Sequence, residues 1–551
     1  MAYILHLADN ADTLVLNGEG DGGNWAFTQN HALLEFGLNF LEFKNARTWM
    51  ETASRRLTAA IKKDILPDGV EMESAPGYQR MCYKPLVGVY KLIRDRGVET
   101  PFAGEMKGIL EKQAEYFMYM AAPNGITPSL GDWGNTEERG ALQNDSELLG
   151  RSDMLYVATA GKEGTKPKEL SKLYPYAGIV TMRSHWGDTG EPFDDARYMM
   201  LHGVHYGAHG HRDLNSITVY AHGRALLGDP GMHDYGPPEY LLLGKSTSHN
   251  LVTIDGQSQE RVSGAVFDNW STTPIADYLA SSTPGYQGFN YTREIFYVRA
   301  DSAPGAQDYW IVRDTVTGEG AHSLEQRWHF TPGGIKLDPD TLTARTVFDD
   351  GGNLSVMQLS PSRFKAEQTT IDTLIPRGTA SEPTKMPTVT YTTETALPAA
   401  IHTVLFPFKG KDTSPFVIKA IAQSPDGLDS AFRVVQQDTE DLFVMRSGRE
   451  ASLPEKVTFD GDRLFVRRVG GKLRAVLLVN GTSVAIDGKE VVKSDKQLAW
   501  IAVSLGEEQV DVYTSSGGAN VSVPAAGGRQ IVISNTGSDA LIGAGGQEEE
   551  K

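Results

Sequence analysis

The spacing of apolar residues changes near residue 175, and this change most constrains the fold of the chain. Before it, segments such as NARTWMETASRRLTAAIKKDIL carry apolar side chains at helical spacing, with Leu57 and Ile61 on one stripe. After it, short segments rich in β-branched and aromatic residues, such as YAGIVTMRS and DYWIVRDTV, are closed by turn residues. The pattern predicts an α+β multidomain chain, with helices over about residues 25–160 and an antiparallel β-region to about residue 535.

The same pattern divides the 551 residues into domains. We expect an α-helical domain over residues 1–170 and an antiparallel β-sandwich over residues 171–410. A smaller C-terminal β domain would follow over residues 411–540, since the turn-rich stretch FPFKGKDTSPF marks a boundary near residue 410. The Gly- and Glu-rich end, residues 541–551, is predicted to be disordered.

Composition excludes several classes of protein. The formal net charge of −18 argues against a nucleic-acid-binding protein, which needs a basic face. The single cysteine, Cys82, excludes intrachain disulfides and a metal site built from several thiolates. No run of 18 apolar residues is present, so we expect no membrane span. The start, MAYILHLADNADTL, lacks the basic and apolar regions of a signal peptide, which predicts either a cytoplasmic protein or a chain from which a leader is missing.

Three of the 13 histidines fall within seven residues, at His205, His209 and His211 in HYGAHGHRDLNS. His209 and His211 would share one side of a strand, because residues two apart lie on the same face. Downstream, LLGDPG offers Asp229 and STSHN offers His249. Two imidazoles and a carboxylate are a common ligand set for zinc, although such residues near turns are often purely structural.

Two junctions between a loop and a helix in the N-terminal part suit an anion. Asn24 and Trp25 follow a Gly-rich loop, and Tyr78 begins a helix with Arg80 and Lys84 beyond it. The start of a helix and nearby cations attract negative charge. In the alternative interpretation, Asn24 is a helix cap and Trp25 and Tyr78 are packed aromatic residues.

Taken in order, these motifs resemble the heparinase II/III family of polysaccharide lyases. The resemblance runs from about residue 20 to at least residue 335, and the series GHRD, GRALLGDPG and HNLVTIDG is its most specific part. It implies an N-terminal α/α toroid followed by an antiparallel β-sandwich. It also implies β-elimination at a uronate of an anionic polysaccharide, which leaves a C4–C5 double bond.

The resemblance assigns roles to residues of this chain. Asn24 corresponds to the carboxylate-binding residue, and Tyr78 and His209 correspond to the catalytic pair. A free tyrosine has a pKa of about 10, so nearby cations would have to favour its phenolate. His209 would instead be the base, with Tyr78 as the acid, where the C5 proton lies on the opposite face of the sugar.

Further residues are assigned to the metal and to the substrate. The metal ligands implied by the resemblance are His211, Asp229 and His249, around a divalent ion, usually zinc, with a mainly structural role. The substrate-binding side chains expected near the cleft are Trp25, Gln29, Arg80, Lys84, His205, Arg212 and Tyr235. The pair Asn30–His31 is a weaker candidate, because it lies inside a predicted helix.

The chain departs from the family in one respect and leaves alternatives open. Only five or six helices are predicted before the β-region, which suggests a partial toroid or missing upstream helices. A glycosaminoglycan (heparan sulfate, chondroitin sulfate or hyaluronan) is the preferred substrate, in the periplasm or outside the cell, and alginate is the alternative. A glycoside hydrolase would need paired carboxylates at the cleft, from residues such as Glu73 and Asp132. An inactive carbohydrate-binding protein is the third possibility.

Overall fold

The computed structural model of the chain describes eleven stretches and leaves the predicted disordered tail, residues 541–551, outside them. The described residues are 2–18, 20, 22–73, 75–203, 209–231, 242–262, 264–300, 306–372, 384–411, 416–447 and 456–535. Helices occupy the first part and strands the rest, so the predicted α+β architecture is confirmed.

Within these stretches the N-terminal part has seven α-helices, one or two more than predicted. The first of them precedes the region for which helices were expected. The helices are α1 (Ala2–Asn17), α2 (Gly23–Asn39), α3 (Ala46–Asp64), α4 (Pro76–Arg96), α5 (Met106–Met120), α6 (Arg139–Leu149) and α7 (Ser152–Ala158).

Helices α2, α3 and α4 pack together because each buries one apolar stripe. In α3, Trp49, Ala53, Leu57 and Ala60 recur every three or four residues and are all buried. Helix α2 contacts both α3 and α4. The starts of α2 and α4, where Asn24 and Tyr78 lie, are therefore held in one packed layer.

The first eight strands include a short hairpin inside the helical part. They are β1 (Ile126–Thr127), β2 (Thr136–Glu137), β3 (Lys172–Tyr174), β4 (Ile179–Arg183), β5 (Tyr198–His202), β6 (Ser216–Ala221), β7 (Arg224–Leu227) and β8 (Val252–Ile254).

Eleven further strands lead to residue 409. They are β9 (Val266–Thr272), β10 (Ala276–Tyr286), β11 (Phe289–Val298), β12 (Tyr309–Thr317), β13 (Ala321–His329), β14 (Ile335–Leu337), β15 (Ala344–Thr346), β16 (Gly352–Gln358), β17 (Lys365–Asp372), β18 (Lys385–Ala396) and β19 (Ala399–Lys409).

The last strands begin just after the boundary proposed near residue 410. They are β20 (Phe416–Gln423), β21 (Ser430–Gln436), β22 (Thr439–Met445), β23 (Val457–Phe459), β24 (Arg463–Val469), β25 (Lys472–Ile486), β26 (Lys489–Leu505), β27 (Gln509–Thr514), β28 (Val521–Ser522) and β29 (Gln530–Asn535).

The strands form four larger sheets, in which only the pair β27–β29 is parallel among the described pairings. A five-stranded sheet runs in the order β3-β4-β5-β6-β7, and an eight-stranded sheet runs β14-β15-β16-β19-β12-β11-β10-β9. A four-stranded sheet has the order β17-β18-β13-β8. Strands β20 to β29 form a ten-stranded sheet.

Individual strands connect the layers, because the side chains on their two faces pack into two different hydrophobic cores. In β5, Tyr198 and Met200 pack into the core of the helical layer, whereas Met199 and Leu201 pack into the core shared with the eight-stranded sheet. This division follows from the alternation of side chains along a strand. The five-stranded sheet therefore lies between the helices and the β-sandwich, and its connections reach both.

The eight-stranded sheet is buried on both faces. Ile295 and Tyr297 of β11 face the core with the five-stranded sheet, and Phe296 and Val298 face the ten-stranded sheet. A strand buried on both faces has a continuous apolar sequence, as IFYV does here. No helix among the described residues is long and apolar enough to cross a membrane.

Candidate active site

Tyr78 lies in the first turn of α4, where the chain passes from a loop into a helix. Pro76 occupies one of the first helical positions, where a backbone N–H has no helical partner to lose. Gly77 is required, because a Cβ at this position would overlap the ring of Trp133. Trp133 contacts the Tyr78 ring edge-on, at 5.8 Å between centroids. The turn thereby fixes the direction of the Tyr78 phenol.

The ring of His209 stacks on the ring of Tyr78. The two centroids are 3.5 Å apart and the planes differ by 8°. The side chain of His209 is 20% exposed and Tyr78 is half-buried, so both rings are accessible from solvent. The structure therefore brings together the two residues expected to carry the proton transfers.

Two loops hold the backbone of His209. Its N–H donates to the carbonyl of Glu73 at 3.3 Å, and its own carbonyl accepts the N–H of Asp132 at 2.9 Å. Gly131 adopts a φ of +56°, and a Cβ there would overlap the His209 carbonyl. Glycine is therefore needed for the close approach of the loop between β1 and β2.

Asp132 contacts both histidines of the sequence His209-Gly210-His211. Its carboxylate accepts a hydrogen bond from Nδ1 of His209 and another from Nε2 of His211, each at 3.1 Å. Burial by itself would raise the pKa of Asp132, but these two imidazoles bring the pKa below its ordinary value. An ionised carboxylate only accepts, so the proton of each bond belongs to the histidine.

The prediction that His209 and His211 lie on a strand is wrong. Strand β6 begins only at Ser216, and the preceding residues form turns in which Asn215 has a φ of +70°. The two imidazoles nevertheless approach the same carboxylate, that of Asp132, through different oxygens.

His211, Asp229 and His249 form a buried cluster that fits a metal ion. One potential ligand atom from each residue lies within 4.8 Å of the others. Nδ1 of His211 is buried without a hydrogen-bond partner among the described residues, as expected of a nitrogen that ligates a metal. Nδ1 of His249 lies 2.7 Å from Oδ2 of Asp229. Two nitrogens and one carboxylate oxygen suit a divalent cation such as zinc.

A second carboxylate, that of Asp213, lies beside this cluster, and no role was assigned to it from the sequence. Its Oδ2 lies 2.7 Å from Nδ1 of His202 and 3.9 Å from Nδ1 of His249. Burial opposes ionisation of Asp213, but the neighbouring imidazoles hold its pKa well below the ordinary value. Asp229 and Asp213 in turn outweigh the effect of burial on His249 and raise its pKa.

Asn24 approaches the same region from the start of α2. It is buried, and its backbone N–H donates to the carboxylate of Glu73. The N–H of Gly23 donates to Oδ2 of Asp64 at 2.6 Å. The Glu73 carboxylate also lies 3.8 Å from Nε2 of His209. Glu73 therefore links the Asn24 backbone with His209, a position that the sequence did not reveal.

Burial governs the charge of Glu73. It raises the pKa of Glu73, although His209 and the N–H of Asn24 act in the opposite direction. The neighbouring Glu71 is more deeply buried, and burial together with the charge of Glu73 raises its pKa well above the ordinary value. The acidic groups closest to Asn24 are thus biased towards their neutral forms.

The other expected substrate-binding residues have varied positions. Trp25 is 68% exposed on α2, which rules out the alternative that it is a core residue. Gln29 lies on the same helix and is half-buried, and Arg212 is exposed directly after His211. His205 and Tyr235 lie outside the described residues.

Arg80 and Lys84 are directed away from Tyr78. The Arg80 guanidinium pairs with Glu138 and lies over the ring of Phe117, 3.8 Å from its centroid. Both cations line a groove of about 660 Å³ between α4 and α6. Neither Tyr78 nor His209 lines this groove. Of the three basic residues expected to bind the substrate, only Arg212 adjoins the histidines in the chain.

The weaker candidate pair is not arranged as a site. Asn30 is buried in α2 and donates through Nδ2 to the carbonyl of Ala26 at 2.8 Å. His31 lies 3.9 Å from Glu35 on the same helix, and burial lowers its pKa, partly offset by Glu35.

Profiles of one protein family match most of the chain. The profile of the heparinase II/III N-terminus matches residues 1–149, and that of the heparinase II/III-like C-terminal domain matches residues 166–418. A heparin-sulfate lyase of Pedobacter heparinus is 24% identical over 357 residues, which are 62% of this chain and 52% of the relative. One of Bacteroides thetaiotaomicron is 23% identical over 384 residues, 64% and 53% respectively. The chain thus spans about half the length of these curated relatives.

Solved structures show the same fold. A heparinase III structure superposes with a TM-score of 0.69 at 20% identity, covering 80% of this chain and 70% of its own. The heparan sulfate lyase of Pedobacter heparinus also gives 0.69 at 20% identity, covering 82% and 70%. These similarities establish the arrangement of a helical layer and stacked antiparallel sheets.

Proposed function

Because the chain belongs to the heparinase II/III family, we propose that it is a polysaccharide lyase that cleaves a uronate-containing polysaccharide by β-elimination. The observation that carries the proposal is the stack of Tyr78 on His209, with Asn24 held close by through Glu73. A glycosaminoglycan is the proposed substrate, since the curated relatives are named heparin-sulfate lyases.

The reaction demands two proton transfers and one stabilised anion. The C5–H bond and the C4–O4 bond break, a C4–C5 double bond forms, and O4 receives a proton. The proton at C5 is a weak acid, so a donor must stabilise the negative charge that develops on the adjacent carboxylate. The Asn24 amide is proposed for this role.

Tyr78 and His209 are proposed to share the proton transfers. His209 donates from Nδ1 to Asp132, so in its neutral form Nε2 carries the lone pair and can accept a proton. The Tyr78 phenol can then protonate O4, or it can act as both base and acid when the C5 proton lies on its own side. The configuration of the uronate decides between these two routes.

The hydrolase alternative receives less support. An inverting or retaining hydrolase needs one carboxylic acid and one carboxylate facing the glycosidic bond. Asp132 is 3% exposed and both of its oxygens accept hydrogen bonds from histidines. Its carboxyl group is therefore unsuited to protonating a leaving group.

His211, Asp229 and His249 are proposed to hold a zinc ion. The ion would stabilise the turn that carries His209, a structural role that requires no contact with substrate. We expect His211→Ala to lose bound metal and stability, whereas His322→Ala, at a partly exposed histidine outside this cluster, should lose neither. Unchanged metal content in His211→Ala would refute the ligand assignment. Since the substrates are extracellular polymers, the periplasm or the exterior of the cell is the proposed location.

The test is ultraviolet absorbance during incubation with heparan sulfate, heparin, chondroitin sulfate, hyaluronan and alginate. An increase from the new C4–C5 double bond on a glycosaminoglycan supports the proposal. An increase on alginate alone would change the substrate class. New reducing ends without an increase in absorbance would indicate hydrolysis and contradict the proposal.

A further inference from the structure

Asp132 occupies a position that none of the roles above requires. Its carboxylate joins two imidazoles that are expected to do different things, His209 in the cleft and His211 in the metal cluster. Its backbone N–H also binds the His209 carbonyl. The side chain is almost completely buried, so these contacts are sheltered from competing water.

The hydrogen bond from His209 determines where that imidazole carries its proton. A neutral imidazole has one N–H, and an ionised carboxylate accepts from it but cannot donate. The bond of 3.1 Å between Nδ1 of His209 and Oδ2 of Asp132 therefore favours the form protonated at Nδ1. Nε2 is then the nitrogen without the proton, on a ring already stacked against Tyr78.

The other oxygen of Asp132 acts on the metal cluster in the same way. It accepts from Nε2 of His211 at 3.1 Å, which leaves Nδ1 of that imidazole deprotonated. This Nδ1 is buried and, within the described residues, has no hydrogen-bond partner. A carboxylate on the far nitrogen of a ligating histidine fixes its orientation and raises its basicity.

We propose that Asp132 is a positioning residue that keeps His209 protonated at Nδ1, with Nε2 available for the C5 proton, and that the same carboxylate orients His211 for the metal. The first part rests on the proposed lyase function. Asp132 acts through the two histidines and need not contact the substrate.

Asp132→Asn is the informative variant. An amide of nearly the same shape has one acceptor oxygen and one donor nitrogen, so it can keep only one of the two bonds. We expect kcat to fall by on the order of 100-fold or more with little change in KM, and zinc affinity to fall by about 10- to 100-fold. Zinc affinity is measured by competition with a chelator, independently of activity.

A matched control is available on the β-sandwich. Asp255 accepts a hydrogen bond from Nδ1 of His322 at 2.8 Å, far from the site in sequence, and both side chains are partly exposed. Asp255 has a φ of +52°, which asparagine tolerates. Asp255→Asn also removes a carboxylate from a histidine and should change neither kcat nor zinc affinity.

The tautomer of His209 is measured on the wild-type protein and does not depend on turnover. In the wild-type protein labelled with ¹⁵N-histidine, the signal assigned by its loss in His209→Gln should report a protonated Nδ1 and an unprotonated Nε2. A wild-type His209 protonated at Nε2 would overturn the proposal. An Asp132→Asn variant with wild-type kcat and zinc affinity would also overturn it.

These outcomes separate the two proposals. If the wild-type protein releases no unsaturated product from any polysaccharide of the panel, the lyase function fails. The imidazole signals and the zinc affinity still test whether Asp132 positions His209 and His211.

Discussion

At the scale of single residues, the site depends on contacts between segments that are far apart in the sequence. Tyr78 comes from the first turn of α4, whereas Asp132 and His209 come from two different loops, yet the three form one continuous set of contacts. Tyr78 and His209 were predictable because each lies in a recognisable motif. The sequence offered Asp132 and Glu73 only as carboxylates for a hydrolase. Their contacts with His209 were not predictable, since these contacts arise only when the separate segments pack together.

Tyr78→Phe tests the role proposed for Tyr78 in the proton transfers. Loss of the hydroxyl removes the group proposed to donate or accept a proton, so we expect kcat to fall by about 10²- to 10⁴-fold. The ring remains and can still stack on His209, so the midpoint of thermal unfolding should stay close to that of the wild type. Initial rates of absorbance increase and thermal unfolding curves give the two quantities.

Tyr90→Phe is the control for that substitution. Tyr90 lies on the same helix, α4, outside the contacts of the site. Its loss of a hydroxyl should leave kcat unchanged. Near-normal turnover in Tyr78→Phe would remove Tyr78 from the mechanism.

At the scale of elements, the starts of α2 and α4 and the turn before β6 define the site. The helices and most strands were predictable from periodicity, because a buried stripe or a buried face imposes a regular pattern on residues such as Leu57 or Ile295. The turn that carries His209 was mistaken for the entry to a strand. Its path is determined by the carboxylate of Asp132 and by turn residues such as Asn215, not by local alternation.

Gly77→Ala tests whether the start of α4 positions the Tyr78 ring. The added methyl group would overlap Trp133, which must move together with the ring that it supports. We expect a loss of about 1–3 kcal/mol in the free energy of unfolding and a lower kcat. Chemical denaturation and initial rates measure both effects.

Gly104→Ala provides the comparison in the same helical layer. A Cβ there meets open space, so the substitution should change neither stability nor turnover appreciably. If Gly77→Ala behaved in the same way, the packing of Trp133 against Tyr78 would not matter to the site.

At the scale of the whole molecule, buried ion pairs join the stacked sheets. Glu294 of β11 accepts hydrogen bonds from Arg463 of β24 at 2.7 and 3.0 Å, and it also pairs with Arg313 of β12. Burial would raise the pKa of Glu294, but Arg463 and Arg313 hold the pKa well below its ordinary value. Such a pair couples the eight-stranded and ten-stranded sheets and makes their packing sensitive to acid.

Glu294→Gln tests this coupling. Because the folded-state pKa is depressed, the stabilisation is fully present above the unfolded pKa of about 4.3 and is lost as the pH falls towards the lower folded value. At pH 7 the variant leaves a buried cation without its partner, so we expect a loss of about 3–5 kcal/mol in the free energy of unfolding. The difference from the wild type should shrink in acid.

Glu440→Gln is the matched substitution at the surface. Glu440 pairs with Arg433 at 2.9 Å, and both side chains are partly exposed to solvent, so its loss should cost little at any pH. Denaturation series across the acid range compare the two variants. A constant gap between the wild type and Glu294→Gln down to low pH would contradict the account.

We propose that this protein breaks a glycosidic linkage by elimination, and the mass of the products tests this most directly. A heparan sulfate oligosaccharide of defined structure is digested and its two fragments are weighed by mass spectrometry. Elimination adds no water, so we predict that the fragment masses add up to the mass of the substrate, with the unsaturated uronate on one fragment. Fragments whose summed mass exceeds that of the substrate by one water would demonstrate hydrolysis and contradict the claim.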